Sequence, residues 1–169
     1  EYIGYYSVSD TIKESSKNAI EILKKKGKRI ILLTGDNAKS ASYFGSLVGI
    51  DEIISEVKPE DKLNVISNLQ KEGLKVAMVG DGINDSPSLI KSDVGIAIGA
   101  GSDIAIDSAS IILIKSDLMD VVKSMELSKK VKNKIKTNLF WAFFYNSIAI
   151  PFAAGILYFP PIYFALNPM

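Results

Sequence analysis

Cysteine is absent from the 169 residues, which excludes disulfides and thiolate metal sites within them. Surplus charge is absent too. Twenty Lys and Arg stand against 19 Asp and Glu, a formal net charge of +1, which argues against a general nucleic-acid binder and sets nucleic acid aside as a partner. The chain opens on Glu1 with no charged-then-apolar leader, so no signal peptide is expected, and it reads as a piece of something longer. From Asn138 to Phe159, NLFWAFFYNSIAIPFAAGILYF, there is no charged residue at all. A bilayer core of about 30 Å needs roughly 20 helical residues, and buried core helices are usually shorter and keep a polar face. This run is therefore expected to cross a membrane.

The rest of the chain alternates charged and apolar segments, enough for one α/β domain plus an appendage. Tyr2–Val8 is rich in β-formers and ends at Ser9-Asp10, a helix N-cap signal; Ile12, Ala19, Ile20 and Leu23 follow with helical spacing up to Gly27. Arg29–Thr34 (RIILLT) suits a strand buried on both faces. A helical pattern through Ala38, Ala41, Phe44 and Val48 closes at Gly49, the strand EIISEV comes next, and a helix opens at Pro59 and closes at Gly73. KVAMVG, a short helix from Pro87, VGIAIG and SIILIK complete the set. This alternation predicts a parallel sheet with helices on both faces, in which ligands bind beyond the carboxyl ends of the strands. From Asp117, with no Gly or Pro before the apolar run, one long helix passes through Lys129, Lys130, Lys132, Lys134 and Lys136, and such lysines favour the cytoplasmic side. The expected segments are 1–116, the α/β part; 117–137, a stalk helix; 138–159, the span; and 160–169, a Pro-Pro turn with the start of a further, truncated helix.

Two predicted strand ends carry groups with chemistry. Asp81 and Asp85 flank a loop containing Gly80 and Gly82, where backbone can approach a ligand closely. Two carboxylates there suit Mg²⁺, which prefers oxygen and takes one or two protein carboxylates with phosphate and water. A turn Asp followed by a capping Asp, with Pro87 in the first helical turn, fits the same residues. Thr34-Gly35-Asp36-Asn37 offers a hydroxyl and backbone N–H groups at a helix start, a phosphate cradle or a plain cap. Lys62 sits in the first turn of its helix, where a cation gains nothing from the macrodipole. It is a surface lysine, or one that faces the phosphate.

TGDN, PEDK and MVGDGINDSP, followed by DVGIAIGAGSDIAIDSASIIL, resemble in order the phosphorylation domain of P-type ATPases, a haloacid-dehalogenase-like Rossmannoid fold. The resemblance implies that Thr34 and the Gly35 amide hold phosphoryl oxygens while Asp36 organises their loop. It implies that Lys62 neutralises the transferring group, Asn84 contacts it, Asp81 binds Mg²⁺, and Asp85 supports Lys62 and the metal shell. These roles agree with phosphoryl transfer, which needs positioning and charge neutralisation more than covalent work by side chains. The nucleophilic aspartate of the family's DKTGT stretch has no counterpart here. The nucleotide-binding and actuator domains are missing too, so ATP would be bound mainly outside these residues. The resemblance thus implies the C-terminal part of a pump that stops before its last membrane helix, inactive alone. The implied whole is multi-pass in the membrane, with 1–136 cytoplasmic; lipid, the remainder of the pump and a copper chaperone are its partners.

Asn138, Tyr145, Asn146 and Pro151 share the spacing of the copper(I)-transporting branch of the heavy-metal pumps. Zinc and cadmium pumps are expected to carry a lysine in this helix, and none occurs after Thr137. Tyr145 and Asn146 are hard ligands for soft Cu(I), so they would complete a site whose thiolates lie elsewhere; packing between helices is the other reading. Cu(I) export is the implied activity. A membrane-anchored phosphatase of the same superfamily and a non-catalytic Mg²⁺- and phosphate-binding fragment are the alternatives.

Overall fold

A computed structural model describes residues 11–81, 84–99 and 103–155, with the side chains of 103–105 excluded. The chain divides into two units, residues 1–124 and 125–169.

In the first unit, α1 (Glu14–Lys25) leads into β1 (Ile31–Leu33), α2 (Ala38–Val48), β2 (Glu52–Ile54) and α3 (Pro59–Lys71). Then come β3 (Ala77–Gly80), α4 (Ser86–Lys91), β4 (Val94–Ile98), α5 (Asp103–Ser108), β5 (Ile111–Leu113) and the first turns of α6 (Leu118–Ala153). Local chemistry explains most boundaries. Asn37 accepts a bond from the Ser40 amide at 2.9 Å and starts α2, and Gly49, at φ 77°, ends it in a conformation that costs other residues more. Pro59 occupies the first turn of α3, where its missing N–H is no loss. Asp117 accepts from the Met119 amide at 2.9 Å where α6 begins, and that bond holds its carboxyl below the usual range.

All strand pairs are parallel, as expected, but among the described residues they form two ladders, β1–β2 and β3–β4–β5. A cavity of about 310 Å³ lies between them, lined by Ile31 and Leu33 of β1, Ala77 and Met78 of β3, and Val65 and Leu69 of α3. The core beside it gathers Ile66, Met78, Leu89 and Ala97 from α3, β3, α4 and β4. Burying Ile66 and Leu89 contributes about 1.5–3 kcal/mol each.

Two points of the chain differ from expectation. α1 starts at Glu14 rather than after Asp10, so Ile12 precedes it, and Lys13 at its N-cap makes no side-chain bond. α5 has only six residues, too few for periodicity to reveal. The strand expected at Tyr2–Val8 and its Ser9-Asp10 cap lie outside the described residues.

The second unit contains the rest of α6, with Pro151 inside it. Among the described residues no helix is long and apolar enough to cross a membrane. At 1.5 Å per residue the uncharged part of α6, 138–153, rises about 24 Å, short of a core of about 30 Å. The rest of the expected span, 156–159, and the expected helix start at 160–169 lie outside the described residues.

Candidate active site

β1 delivers Thr34, whose amide donates to the Ile54 carbonyl at 3.0 Å, so the ladder runs up to the motif. The Thr34 hydroxyl donates to Asp36 Oδ2 at 2.9 Å and accepts from the Asp36 amide at 3.1 Å. That closed pair of bonds fixes the hydroxyl's direction. The turn after β2 then grips the same loop: the Glu56 amide donates to the Asp36 carbonyl at 2.9 Å, and the Val57 amide to Thr34 at 3.1 Å. Gly35 lies against this turn, with the Val57 carbonyl 3.4 Å from where a Cβ would stand.

The gripping turn leads directly into α3 and so sets Lys62. Its ammonium donates to Asp85 Oδ1 at 2.6 Å, with the two side chains only 14 % and 15 % exposed. This overturns the capping reading of Asp85. The residue stands at the N-cap position of α4, yet its side chain makes no cap bond. A charge-assisted bond is roughly twice as strong as a neutral one, so the lysine wins the carboxylate from the helix amides. The lysine is correspondingly no surface residue.

Gly80, the last residue of β3, explains how the carboxylate fits. A Cβ there would stand 2.6 Å from Asp85 Oδ2, so only glycine lets Asp85 lie against the strand end. Asp81 follows directly and is exposed, as is Asn84. Gly82 lies outside the described residues. The Ser86 hydroxyl is bonded to the buried Ser108 hydroxyl, which ties α4 to α5.

The donor set suits Mg²⁺. The sequence supplies no His or Cys, and the strand end offers the carboxylate oxygens of Asp81 and of Asp85, the latter seated against Gly80. Among the described residues no three acidic, His or Cys side chains gather so as to hold a metal ion; Mg²⁺ takes one or two protein carboxylates with phosphate and water.

The structure thus ties the Thr34 loop to the turn that launches α3, and Lys62 of α3 to Asp85. Tyr145 and Asn146 belong to the second unit, on α6, where Tyr145 is 71 % exposed. Glu56 was not foreseen. It has φ 58°, the one positive value among described non-glycine residues, and glutamate gives no sequence signal for that conformation. Asp93 was also missed. It lies before β4, at the opposite strand end, and binds the Val76 amide, Lys75 and Gln70 at 2.9–3.1 Å. The Val76 amide, then Lys75 and Gln70, hold its carboxyl far below the ordinary range.

Residues 1–93 match the model of a family described as haloacid dehalogenase-like hydrolase. "Probable copper-transporting ATPase HMA5" of Arabidopsis thaliana is 51 % identical over 99 % of this chain and 17 % of its own length. "Probable copper-exporting P-type ATPase" of Archaeoglobus fulgidus is 49 % identical over 92 % of this chain and 19 % of its own. The chain therefore spans less than a fifth of either relative. Among solved structures, a zinc-transporting PIB-type ATPase in its E2.Pi state superimposes with a TM-score of 0.78 at 32 % identity, over 86 % of this chain and 24 % of that one.

Proposed function

The chain belongs to the haloacid dehalogenase-like hydrolase family, and from that premise we propose that it is the phosphate-handling part of an ATP-driven pump that exports Cu(I). The observation that carries this is the Lys62–Asp85 pair, a cation and a carboxylate held together at the carboxyl end of β3 instead of serving a helix cap. The pump's activity, its ion and its partners belong to the whole protein. The copper relatives, near 50 % identity, support the ion more than the 32 % of the zinc-transporting structure does.

In this reading the Thr34 hydroxyl and Gly35 amide hold phosphoryl oxygens, the hydroxyl redirecting to them the one proton it gives to Asp36 here, while Asp36 organises the loop. Lys62 neutralises charge on the transferring group. Its pairing with Asp85 holds the ammonium in place beforehand, so little reorganisation is left for the reaction. Asn84 contacts the phosphoryl group, and the Gly82 backbone lets it come close. Asp81 would hold Mg²⁺ directly and Asp85 at second hand, since Lys62 already occupies one of its oxygens. When bound, Mg²⁺ would supply positive charge to the phosphate oxygens.

The nucleophilic carboxylate comes from a strand that these 169 residues do not contain. The cavity between β1 and β3, walled by Ile31, Leu33, Ala77 and Met78, is where such a strand fits. ATP is held mainly by a domain outside this chain. Residues 1–116 form the domain proper, 117–137 a stalk, 138–159 a span, and 160–169 the start of a last helix, with 1–136 cytoplasmic. Tyr145 and Asn146 take part in the ion pathway alongside thiolates from elsewhere. Lipid, the rest of the pump and a copper chaperone are the partners.

The test is labelling from radioactive ATP with Mg²⁺ in detergent. The chain alone should take no acid-stable label, and co-expression with the upstream remainder should restore it; label on the isolated chain would sink the proposal. For the ion, Asn146→Ala and Tyr145→Phe in the whole pump should cut Cu(I)-stimulated phosphorylation and spare phosphorylation by inorganic phosphate. Unchanged copper stoichiometry in both variants would return these residues to helix packing. Direction is read from copper accumulation in inverted vesicles.

A further inference from the structure

Within the second unit, α6 carries two adjoining girdles of different chemistry. Lys129, Lys130, Lys132, Lys134 and Lys136 are all helical and all exposed, and Glu126 is the only acidic residue of this unit. At about 100° per residue, the five lysines cover one broad side of the helix. Leu127, Val131, Ile135 and Leu139, four apart, run down the other side. About one turn past Lys136 the chemistry changes. Phe140, Trp141 and Phe144 are exposed to solvent yet packed on one another, with ring centroids 5.6–5.8 Å apart.

Each girdle narrows the partner. Five cations within about 10 Å of helix rise call for a surface dense in negative charge. Aromatic rings clustered beside them, with uncharged helix beyond, call for a boundary between polar and apolar media, where Trp and Tyr settle. A nucleic acid would meet the first demand but not the second. A layer of acidic phospholipid meets both: lysine stems can lie along the acyl boundary while their ammonium groups reach phosphate.

We infer that residues 129–144 of α6 form a headgroup-reading site, in which the lysine girdle selects acidic phospholipid and the Phe140–Trp141–Phe144 cluster seats at the acyl boundary. The inference rests on the membrane reading of 138–159 given above and adds lipid selectivity to it. It also suits the described uncharged helix of about 24 Å, since lysines reaching outward widen the zone that this stretch can occupy.

Trp141 is the chain's only tryptophan, so its emission reports directly on this girdle. The 169-residue chain would be diluted from detergent onto vesicles of phosphatidylcholine, with or without about 30 % phosphatidylglycerol, at ~0.1 M and ~0.5 M salt. At the lower salt, retention on the acidic vesicles should exceed that on neutral ones by at least about tenfold, and the excess should shrink at the higher salt. Replacing all five lysines by Gln should erase the excess yet leave binding to neutral vesicles and the blue shift of Trp141. Replacing them by Arg should restore it. Equal retention of the native chain on both vesicles, or an excess that survives in the Gln variant, overturns the inference while leaving the membrane reading standing. Tighter binding to duplex DNA than to acidic vesicles overturns it in favour of a nucleic-acid surface. No retention and no emission shift on either vesicle overturns both readings together.

Discussion

The two ends of the parallel strands in the first unit are built on opposite rules. At the amino ends, charges are matched side by side. Arg29 forks onto both oxygens of Glu52 at 2.7–2.9 Å, Lys24 binds Asp51, and Asp93 collects Lys75, Gln70 and the Val76 amide. These pairs join neighbouring strands or a helix to a strand, and the Arg29–Glu52 pair shifts both partners in the stabilising sense, with Glu52 held low by Arg29 and Arg29 held high by Glu52. At the carboxyl ends the described polar contacts stay within the motif loops or join one motif to another. A hydroxyl is locked by its own loop, and one largely buried lysine is held by one carboxylate against a glycine. Asp81 and Asn84 face solvent. Charge at the amino ends is satisfied between neighbouring elements, whereas the charges assigned above to the proposed site are a largely buried pair, Lys62 and Asp85, beside an exposed Asp81.

The sharpest way to break this contrast is a matched pair of substitutions in the whole pump. Asp81→Asn should lower Mg²⁺-dependent phosphoenzyme at least about 100-fold. Asp93→Asn, at the other end, should leave the level per folded molecule unchanged. Equal losses in the two variants would erase the distinction.

The next effect is on stability. Lys62→Met or Asp85→Leu leaves a mostly buried partner charge uncompensated and should cost about 2 kcal/mol in urea unfolding of the detergent-solubilised chain. The double variant should recover part of that loss; additive losses would show that the two side chains act independently.

Asp93 gives a pH signature. Its folded carboxyl ionises far below the ordinary value near 3.9, so its contribution is fully present above about pH 5 and is lost as pH falls below about 4 toward the folded value. The urea midpoint of Asp93→Asn should therefore lie below that of the native chain at pH 7, and the gap should close on acidification. A gap that stays constant to pH 3 would assign the difference to packing.

The smallest effect belongs to Glu56. Glycine relieves its left-handed backbone but loosens the unfolded chain, so Glu56→Gly should stay within about 1 kcal/mol of the native stability. Glu56→Val, with a β-branch at positive φ, should lose about 1–2 kcal/mol.

What was legible in the sequence follows the range of the forces involved. Asn37, Gly49 and Pro59 act on backbone within a few residues, and they mark helix ends where the structure has them. Strand centres such as Ile31–Leu33 and Ala77–Gly80 were legible as apolar runs, though trimmed at their ends. The capping reading of Asp85 failed because its competitor, Lys62, stands 23 positions away and meets it only after α3 docks. Glu56 owes its backbone to the Asp36 carbonyl across a loop, and Asp93 owes its acidity to an amide 17 positions earlier. Sequence pattern registers neither. The resemblance in TGDN, PEDK and GDGIND supplied the long-range part that local physics could not.

Each ladder joins only strands adjacent in the chain, β1 with β2 and β3 with β4 and β5. Every pairing therefore closes a short loop, the kind of contact that forms early and quickly in folding. Docking the two ladders around the cavity between them is a separate event, and along the sequence nothing forces the two to coincide. Amide exchange should then release the β1–β2 and β3–β5 backbones as two cooperative units with separate opening free energies. Folding of this region would be a sequence of two local closures followed by one assembly step.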